Sequence, residues 1–535
     1  MRSEKTLVFP LKSFKIIRFV ADQSLETDVK KFYFCTLVFA FLFAVGCGGS
    51  KNGQTFGERM YIAPYNHSIA ILCDAEAEGT NAAYQWYESA DGSSSSGTAV
   101  QGAADQIFTT PIYTEKGIRY YYCTATSAGK TAVSEVSKVA YTALPTLYIN
   151  TPNSAEITSN EDWLDEATIS VVGAKDDDWN FENVKTSIRG KGNAAWERPK
   201  KPYVLKLEEG KKIMGMPKNK RWILIANYRD RSFMRTETAL YLSELFELDW
   251  TPHGEFVDLV LNGNYKGLYW LGETVRVGED RVNISDGDED IENEDDKDYL
   301  LEAEEFSESV LSFKTTLRGM TYTIQNDDYM LGKGEQLSTG GKARIGRLSS
   351  KINVLEQLLY PDFTEGMDTT KCSAPNEGYA SMLDIDSWIR FWLVNEIMDN
   401  KKLETPESCY FTFESEKYLF KAGPVWDFET ASVYQHSSCR LQETLYYDAL
   451  FKSPAFIART KELWKTYSGE IKIESEIESM RSTLSTAAHY DSMLWGNDSN
   501  DPSGVNRKDF NAYVDFLKET LNKKISVVNK FIENL

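Results

Sequence analysis

The chain has 535 residues with 59 Lys and Arg against 80 Asp and Glu, a formal net charge of −21. That balance excludes the nucleic-acid backbone as a main partner and excludes electrostatic adsorption to anionic lipid, so any anionic ligand must be met by a local basic patch. With 12 Trp, 29 Tyr and 27 Phe the chain can bury a large core, and at this length it divides into more than one domain.

The N-terminal stretch reads as an export signal. Lys30-Lys31 precedes an apolar run from Phe32 to Val45 that ends in Gly46-Cys47, a basic region, a short apolar region and a small-residue cleavage site. Ala44-Val45-Gly46-Cys47 is similar to a bacterial lipobox, so Cys47 is expected to carry lipid, with ordinary signal-peptidase cleavage as the alternative. The expected domains are 1–47, an N-terminal extension and lipoprotein signal, and 48–54, a Gly/Ser-rich tether. A lipid on Cys47 is expected to anchor the protein to a membrane, facing the periplasm or the cell surface.

Residues 55–144 alternate short strands with turns, expected at 68–73, 83–88, 106–110, 118–127 and 133–142. Cys73, Trp86, Tyr121 and Cys123 stand in the order and spacing of an immunoglobulin-like sandwich, namely an inter-sheet disulfide, a strand tryptophan and a tyrosine corner. A Cys73–Cys123 disulfide is expected in an oxidising compartment. Such a domain reads as a spacer or weak adhesion module.

From 145 onward the pattern changes. Strands are expected at 146–149, 156–158, 167–172, 184–188, 203–207 and 221–226, a helix at 233–246, and a hairpin, 255–261 with 265–275, turned by Asn262-Gly263. Arg189-Gly190-Lys191-Gly192 is either a tight hairpin turn or a loop whose backbone approaches a phosphate, and the downstream basic run Arg198, Lys200, Lys201 and Lys206 favours the second. On the 203–207 strand, Lys206 shares a face with Val204 while Tyr203, Leu205 and Leu207 share the other. Lys206 is thus either a snorkelling surface lysine or a phosphate-pairing ammonium. Glu237, near the start of the helix, is a candidate ion-pair partner for it, and Glu273 closes the hairpin where a five-stranded lobe would hinge. The acidic run 280–298 lacks the ligand spacing of a calcium loop and reads as a solvated insertion. Beyond 335 the apolar spacing becomes helical, with helices at 343–359, 383–397, 446–452, 455–468, 471–488 and 507–535. Gly423-Pro424-Val425-Trp426-Asp427-Phe428-Glu429 then sets Asp427 at a strand end between two aromatic residues. There it is either a turn cap or a metal-holding acid, with Glu429 as a further oxygen donor.

Taken in order, Arg189-Gly-x-Gly-Asn-x-x-Trp196, Lys200-Lys-Pro-Tyr-x-x-Lys-Leu207, Met214-Gly-Met-Pro-Lys-Asn-Lys-Arg-Trp-Ile-Leu-Ile-Ala-Asn-Tyr228, Asn262-Gly-x-Tyr-x-Gly-Leu-Tyr-x-Leu-x-Glu273 and Gly423-Pro-Val-Trp-Asp-Phe-Glu429 resemble the spore coat protein H (CotH) kinase family. The resemblance implies a multidomain chain: the all-β Ig-like sandwich, then an α+β atypical protein-kinase-like domain at 145–535, with a β-rich N-lobe at about 145–305 and a helical C-lobe at about 306–535. It implies ATP with Mg²⁺ or Mn²⁺, Lys206 as the phosphate lysine and Asp427 as the metal acid, and Ser/Thr of envelope or secreted proteins as acceptors. Arg189, Gly190, Gly192, Glu237 and Glu273 complete the expected nucleotide site. The family's catalytic Asp and metal-binding Asn are not matched, because Lys402 and Ser408 stand at those places. Asp399 and Glu404 are the candidate substitutes, and a catalytically inactive binding or structural protein of the cell surface is the alternative.

Overall fold

The computed structural model describes residues 59–75, 81–285, 297–326, 331, 336–364, 366–430, 432–433, 437–496 and 507–535. The expected signal, the expected tether, Cys47 and most of the acidic run lie outside the described residues. Among the described residues no helix is long and apolar enough to cross a membrane.

The first unit is all β: β1 (Arg59–Pro64), β2 (Ala70–Leu72), β3 (Ala83–Ser89), β4 (Thr98–Ala99), β5 (Ile107–Thr109), β6 (Gly117–Ser127), β7 (Lys130–Val133) and β8 (Ser137–Thr142). One sheet runs β1-β8-β6-β3-β4 with β7 beside β6, and β2 pairs with β5 in a second. Strand β1, which the sequence pattern did not reveal, pairs in parallel with β8. Trp86 is buried between the sheets, stacks on Phe108 at 5.4 Å and donates its Nε1–H to the carbonyl of Asp105 at 3.0 Å. The Tyr121 hydroxyl meets that of Tyr113 at 2.5 Å rather than a backbone carbonyl. Cys73 and Cys123, expected as a disulfide, are both buried in this core and lie near each other, unbonded in this structure.

The second unit is a closed barrel. Strands β9 (Thr146–Asn150), β10 (Leu164–Val172), β11 (Phe181–Gly190), β12 (Tyr203–Ile213), β13 (Met216–Ile225), β14 (Gly254–Leu261) and β15 (Asn264–Glu273) follow the order β10-β11-β12-β13-β15-β14-β9. The expected five-stranded lobe becomes seven because β9 pairs antiparallel with β10 and parallel with β14, which closes the ring. Period-two alternation sends Leu205, Leu207, Ile188, Leu224 and Leu271 inward, and Trp222 fills the barrel with them. Residues 156–158 form no strand, since Ile157 packs on the barrel core from outside the ladder.

The third unit is helical around a small sheet. Helix α1 (Arg235–Leu245) leaves β13, and α2 (Thr339–Leu359), α3 (Ile385–Ile397), α4 (Tyr447–Leu450), α5 (Pro454–Tyr467), α6 (Ile473–Trp495) and α7 (Phe510–Asn534) surround a sheet ordered β17-β18-β16-β19-β20. Those strands are β16 (Tyr299–Glu304), β17 (Ser312–Lys314), β18 (Thr321–Ile324), β19 (Cys409–Glu414) and β20 (Leu419–Ala422). Strand β16, read from the sequence as the end of the β lobe, therefore belongs to the helical lobe's sheet. Trp388 on α3 stacks on Phe411 of β19 at 5.2 Å, which packs the helix onto that sheet.

The sandwich is seated on the other units and does not hang from them as a spacer. Thr142 donates its hydroxyl to Asp258 of β14 at 2.6 Å, the Tyr490 hydroxyl of α6 donates to the Lys138 carbonyl at 2.9 Å, and Tyr265 of β15 stacks on Tyr490 at 5.3 Å. Tyr148, Val260, Tyr265 and Tyr490 share one apolar cluster with Ile62, Ile71 and Val139 of the sandwich.

Candidate functional site at the junction of the two lobes

Asp427 is presented by a short, well-anchored turn. Strand β20 stops at Ala422 because Gly423-Pro424 cannot continue the ladder. Val425 and Phe428 are buried in the core, and Trp426 lies 6.2 Å from Trp270 of β15. Between these anchors Asp427 takes a left-handed backbone (φ 60°) and keeps its side chain 33% exposed. A short polar side chain tolerates that conformation better than most. The loop before α1 grips the same turn: Glu429 accepts the Arg229 N–H at 3.1 Å, Ser432 donates its hydroxyl to the Phe428 carbonyl at 2.5 Å, and Arg235 donates to the Ser432 carbonyl at 3.2 Å. Asp230 accepts the Arg235 N–H at 2.9 Å.

Opposite Asp427 stands Lys402. The turn Lys401–Leu403 is capped by Asn400, whose side chain accepts the Lys402 N–H at 3.2 Å and donates to Asn395 at 2.9 Å. This fixes Lys402, 5% exposed, with its ammonium in a direct ion pair to Asp427 Oδ2 and 3.5 Å from Glu407. Burial works against the ammonium, but the charge and hydrogen bond of Asp427 outweigh it and raise its pKa. Glu302 of β16 lies in the same neighbourhood: burial, then Glu304, push its carboxyl up to about 7, while Tyr410, Lys191 and Lys402 pull it down. Lys191 comes from the glycine turn of the barrel, so barrel and helical lobe meet here.

The expected metal pair does not converge. Burial first, and then the carboxylates of Asp427 and Asp230, push Glu429 up to about 7, and its oxygen is turned to the Arg229 N–H. Among the described residues no group of three His, Cys, Asp or Glu side chains is arranged to hold a metal ion. The donor set at Asp427, one carboxylate already bonded to an ammonium, does not fit a divalent cation.

The two candidate catalytic acids are engaged as well. Asp399 pairs with Lys524 of α7 at 3.2 Å, and the same ammonium is 2.7 Å from Glu396. Glu404 pairs with Arg440 at 2.7 Å.

The expected nucleotide residues separate into two groups. Glu237 does not reach Lys206: it accepts the Trp270 Nε1–H at 2.7 Å, and burial pushes its carboxyl up to about 7. Glu273 is enclosed with Arg281 at 2.7 Å and His253 at 3.1 Å. Gly190 is needed because a Cβ there would stand 2.4 Å from the Trp196 ring, and the Gly192 carbonyl accepts the Asn160 amide at 2.9 Å. The loop is therefore braced by its own side chains. Lys200, part of the basic run, is buried against Asp491 at 2.6 Å, and Lys201 lies over the Trp196 ring at 5.0 Å.

Arg189 and Lys206 remain together. On the outer face of the barrel Lys206 lies across from Arg221 and Ser187, and Arg189 lies across from Val204 one step along that face. Arg189 and Arg221 both stack on Trp163, at 4.9 and 4.8 Å, and the Arg189 Nε is buried without a partner. Burial, then Arg276 and Arg189, lower the Arg221 pKa. Among the described residues no carboxylate pairs with Arg189, Lys206, Arg221 or Arg276. Sequence reasoning missed Arg221 and Arg276, although Arg221 could have been found by reading β12 and β13 as paired strands.

A closed β lobe, a helical lobe and an Asp-centred junction between them define a two-lobed protein. The chain belongs to the CotH kinase family: the family described as CotH kinase protein matches residues 188–528, which makes this a kinase-like protein. No curated protein matches. Among solved structures, "Crystal structure of Dscam1 isoform 8.4, N-terminal four Ig domains" matches at 13% identity and TM-score 0.14, over 30% of this chain and 42% of that one. "Structural basis for Dscam isoform specificity" matches at 14% identity and TM-score 0.14, again over 30% of this chain and 42% of that one. This chain spans less than half of either, and the low scores leave the sandwich to be described by its own strands.

Proposed function

We propose that this chain is an exported, membrane-anchored kinase-like protein that binds the polyphosphate of a nucleotide such as ATP and serves at the cell envelope as a binding protein rather than as a phosphotransferase. The nucleotide part is carried by the basic face of the barrel. In a chain with a net charge of −21, Arg189 and Arg221 stack on Trp163, Lys206 lies across from Arg221, Arg276 is near enough to lower the Arg221 pKa, and among the described residues none of the four forms an ion pair with a carboxylate. Phosphate oxygens satisfy planar guanidinium donors in pairs, and the indole face holds those planes in position. Membership of the kinase family supports the same ligand.

The absence of transfer is supported by the acids. Asp399, Glu404 and Asp427 each hold a cationic side chain at 3.2 Å or closer, so none is a free base for a substrate hydroxyl. Calorimetric titration of ATP tests the binding. Arg221→Ala is expected to weaken it by roughly tenfold or more, the loss of one charge-assisted contact, and unchanged affinity sinks the assignment. Transfer of ³²P from labelled ATP to the protein or to envelope proteins, if abolished by Asp399→Asn or Glu404→Gln, would reinstate the enzyme.

A further inference from the structure

We infer that Lys402 occupies the place of the divalent cation, so that the junction receives a polyphosphate with a built-in ammonium and without metal. The inference rests on the kinase-like reading of the junction given above. In a phosphoryl-transferring site the metal acid is left open to bind an ion that bridges phosphate oxygens. Here Asp427 projects from its turn in the position to do so, yet its Oδ2 is bonded to the Lys402 Nζ.

The lysine is held there and does not wander in. It is 5% exposed, its backbone is capped by Asn400, and Asn400 is in turn held by Asn395. The Lys402 carbonyl accepts the Cys409 thiol at 3.6 Å, which ties the turn to the start of β19. Glu407 provides the second anionic neighbour at 3.5 Å and is itself 71% exposed, so one side of the ammonium pair faces outward. A primary ammonium carries three donors and one positive charge. After satisfying Asp427 it retains donors for a phosphate oxygen, a role that a divalent ion fills with two charges and a demanding oxygen shell. The remaining positive charge comes from Lys191 at the barrel turn, which acts on Glu302 together with Lys402. A divalent ion cannot join this arrangement without displacing Lys402 from Asp427, and that would leave a buried ammonium without its close partner.

The test uses the full chain and Mn²⁺ alone, read by electron paramagnetic resonance. Wild-type protein is expected to bind the same number of Mn²⁺ ions as Asp427→Asn, because Asp427 holds none. Lys402→Asp is expected to gain one Mn²⁺ that the Lys402→Asp/Asp427→Asn double variant loses. A wild-type Mn²⁺ that Asp427→Asn removes overturns the inference, and so does a folded Lys402→Asp chain that gains none. If Lys402→Asp melts at low temperature, Lys402→Asn gives the same reading, since it too uncovers Asp427. ATP is titrated in parallel. Equal affinity in EDTA and in Mg²⁺, within about twofold, is expected for wild type, against a Mg²⁺ preference of roughly tenfold in Lys402→Asp. No ATP binding under either condition ends the nucleotide reading, while the Mn²⁺ result still decides what Lys402 does.

Discussion

Two lysine–aspartate pairs in this molecule both bury their ammonium and differ in how fully the carboxylate is enclosed and bonded. Lys200 and Asp491 are both fully buried, and every oxygen of the carboxylate is used: Oδ2 takes the Lys200 ammonium at 2.6 Å and the Leu268 N–H at 3.0 Å, and Oδ1 takes Arg231 at 2.9 Å. Lys200 also donates to the Leu268 carbonyl at 2.5 Å and lies over the Tyr269 ring at 4.7 Å. Lys402 and Asp427 share one bond, the carboxylate stays one-third exposed, and its backbone is left-handed. The first pair has no coordination left to offer and joins β12's approach, β15 and α6 into one body. The second keeps unfilled donors and acceptors at the meeting of two lobes. Completeness of the hydrogen-bond shell, more than the presence of opposite charges, separates a structural ion pair from one able to meet a ligand.

The largest expected effect follows from removing the shared acid of the closed pair. Asp491→Ala leaves Lys200 and Arg231 buried without a counter-charge, and urea denaturation should show a loss of about 3–5 kcal/mol, or no folded protein. Asp427→Asn keeps an oxygen acceptor beside the buried Lys402 ammonium and leaves Glu407 at 3.5 Å, so it should cost less, about 1–3 kcal/mol in the same measurement. Equal losses would erase the distinction. A smaller effect is expected at Gly267, where the backbone is left-handed (φ 102°) and a Cβ would stand 2.3 Å from Asp491 Oδ2. Because that carboxylate has nowhere to move, Gly267→Ala should cost about 1–3 kcal/mol, read as a lowered melting temperature. A neutral outcome would mean that the closed cluster yields more easily than its geometry implies.

How much of this was legible in the sequence follows from the range of the interactions. Elements with local signals are where the periodicity puts them: the Asn262-Gly263 turn falls between β14 and β15, and the last four helices lie within a few residues of their expected spans, except that α6 runs on to Trp495. Trp86, Tyr121, Cys73 and Cys123 meet in one core because their strand positions alone demand it. Barrel closure was not legible, since a parallel β9–β14 pairing joins segments more than a hundred residues apart and leaves no local mark. The basic run shows the same limit. Lys200 and Lys206 read as one patch along the chain, yet one turns into the dry seam toward Asp491 on a distant helix and the other stays on the open face. Lys402 was readable as a departure from the family pattern, but only the fold shows that the departing residue lands on Asp427. Glu237 reads as a lysine partner from its helix position, whereas the Trp270 indole, brought in by β15, reaches it instead.

The comparison also has a pH signature, the smallest effect expected. Asp258 at the seam and Glu429 behind the Asp427 turn are both pushed up to about 7, in each case first by burial. Asp258 then feels hydrogen bonds from Thr142 and Tyr265 that lower it and the charge of Asp491 that raises it. Glu429 feels the lowering Arg229 N–H and the raising charges of Asp427 and Asp230. In the unfolded chain such carboxyls release their proton near 4. Between that value and about 7 the folded protein therefore holds protons that the unfolded chain has lost, so raising the pH across this window lowers stability, and above it the loss is complete. Melting temperature measured from pH 5 to 8 should fall as pH rises, the reverse of the usual salt-bridged carboxylate. Asp258→Asn and Glu429→Gln should each flatten part of that slope. Only the second should also alter ATP affinity, because Glu429 lies behind the Asp427 turn while Asp258 lies under the sandwich. If both substitutions left ATP affinity alone, the open pair would be as isolated from ligand as the closed one.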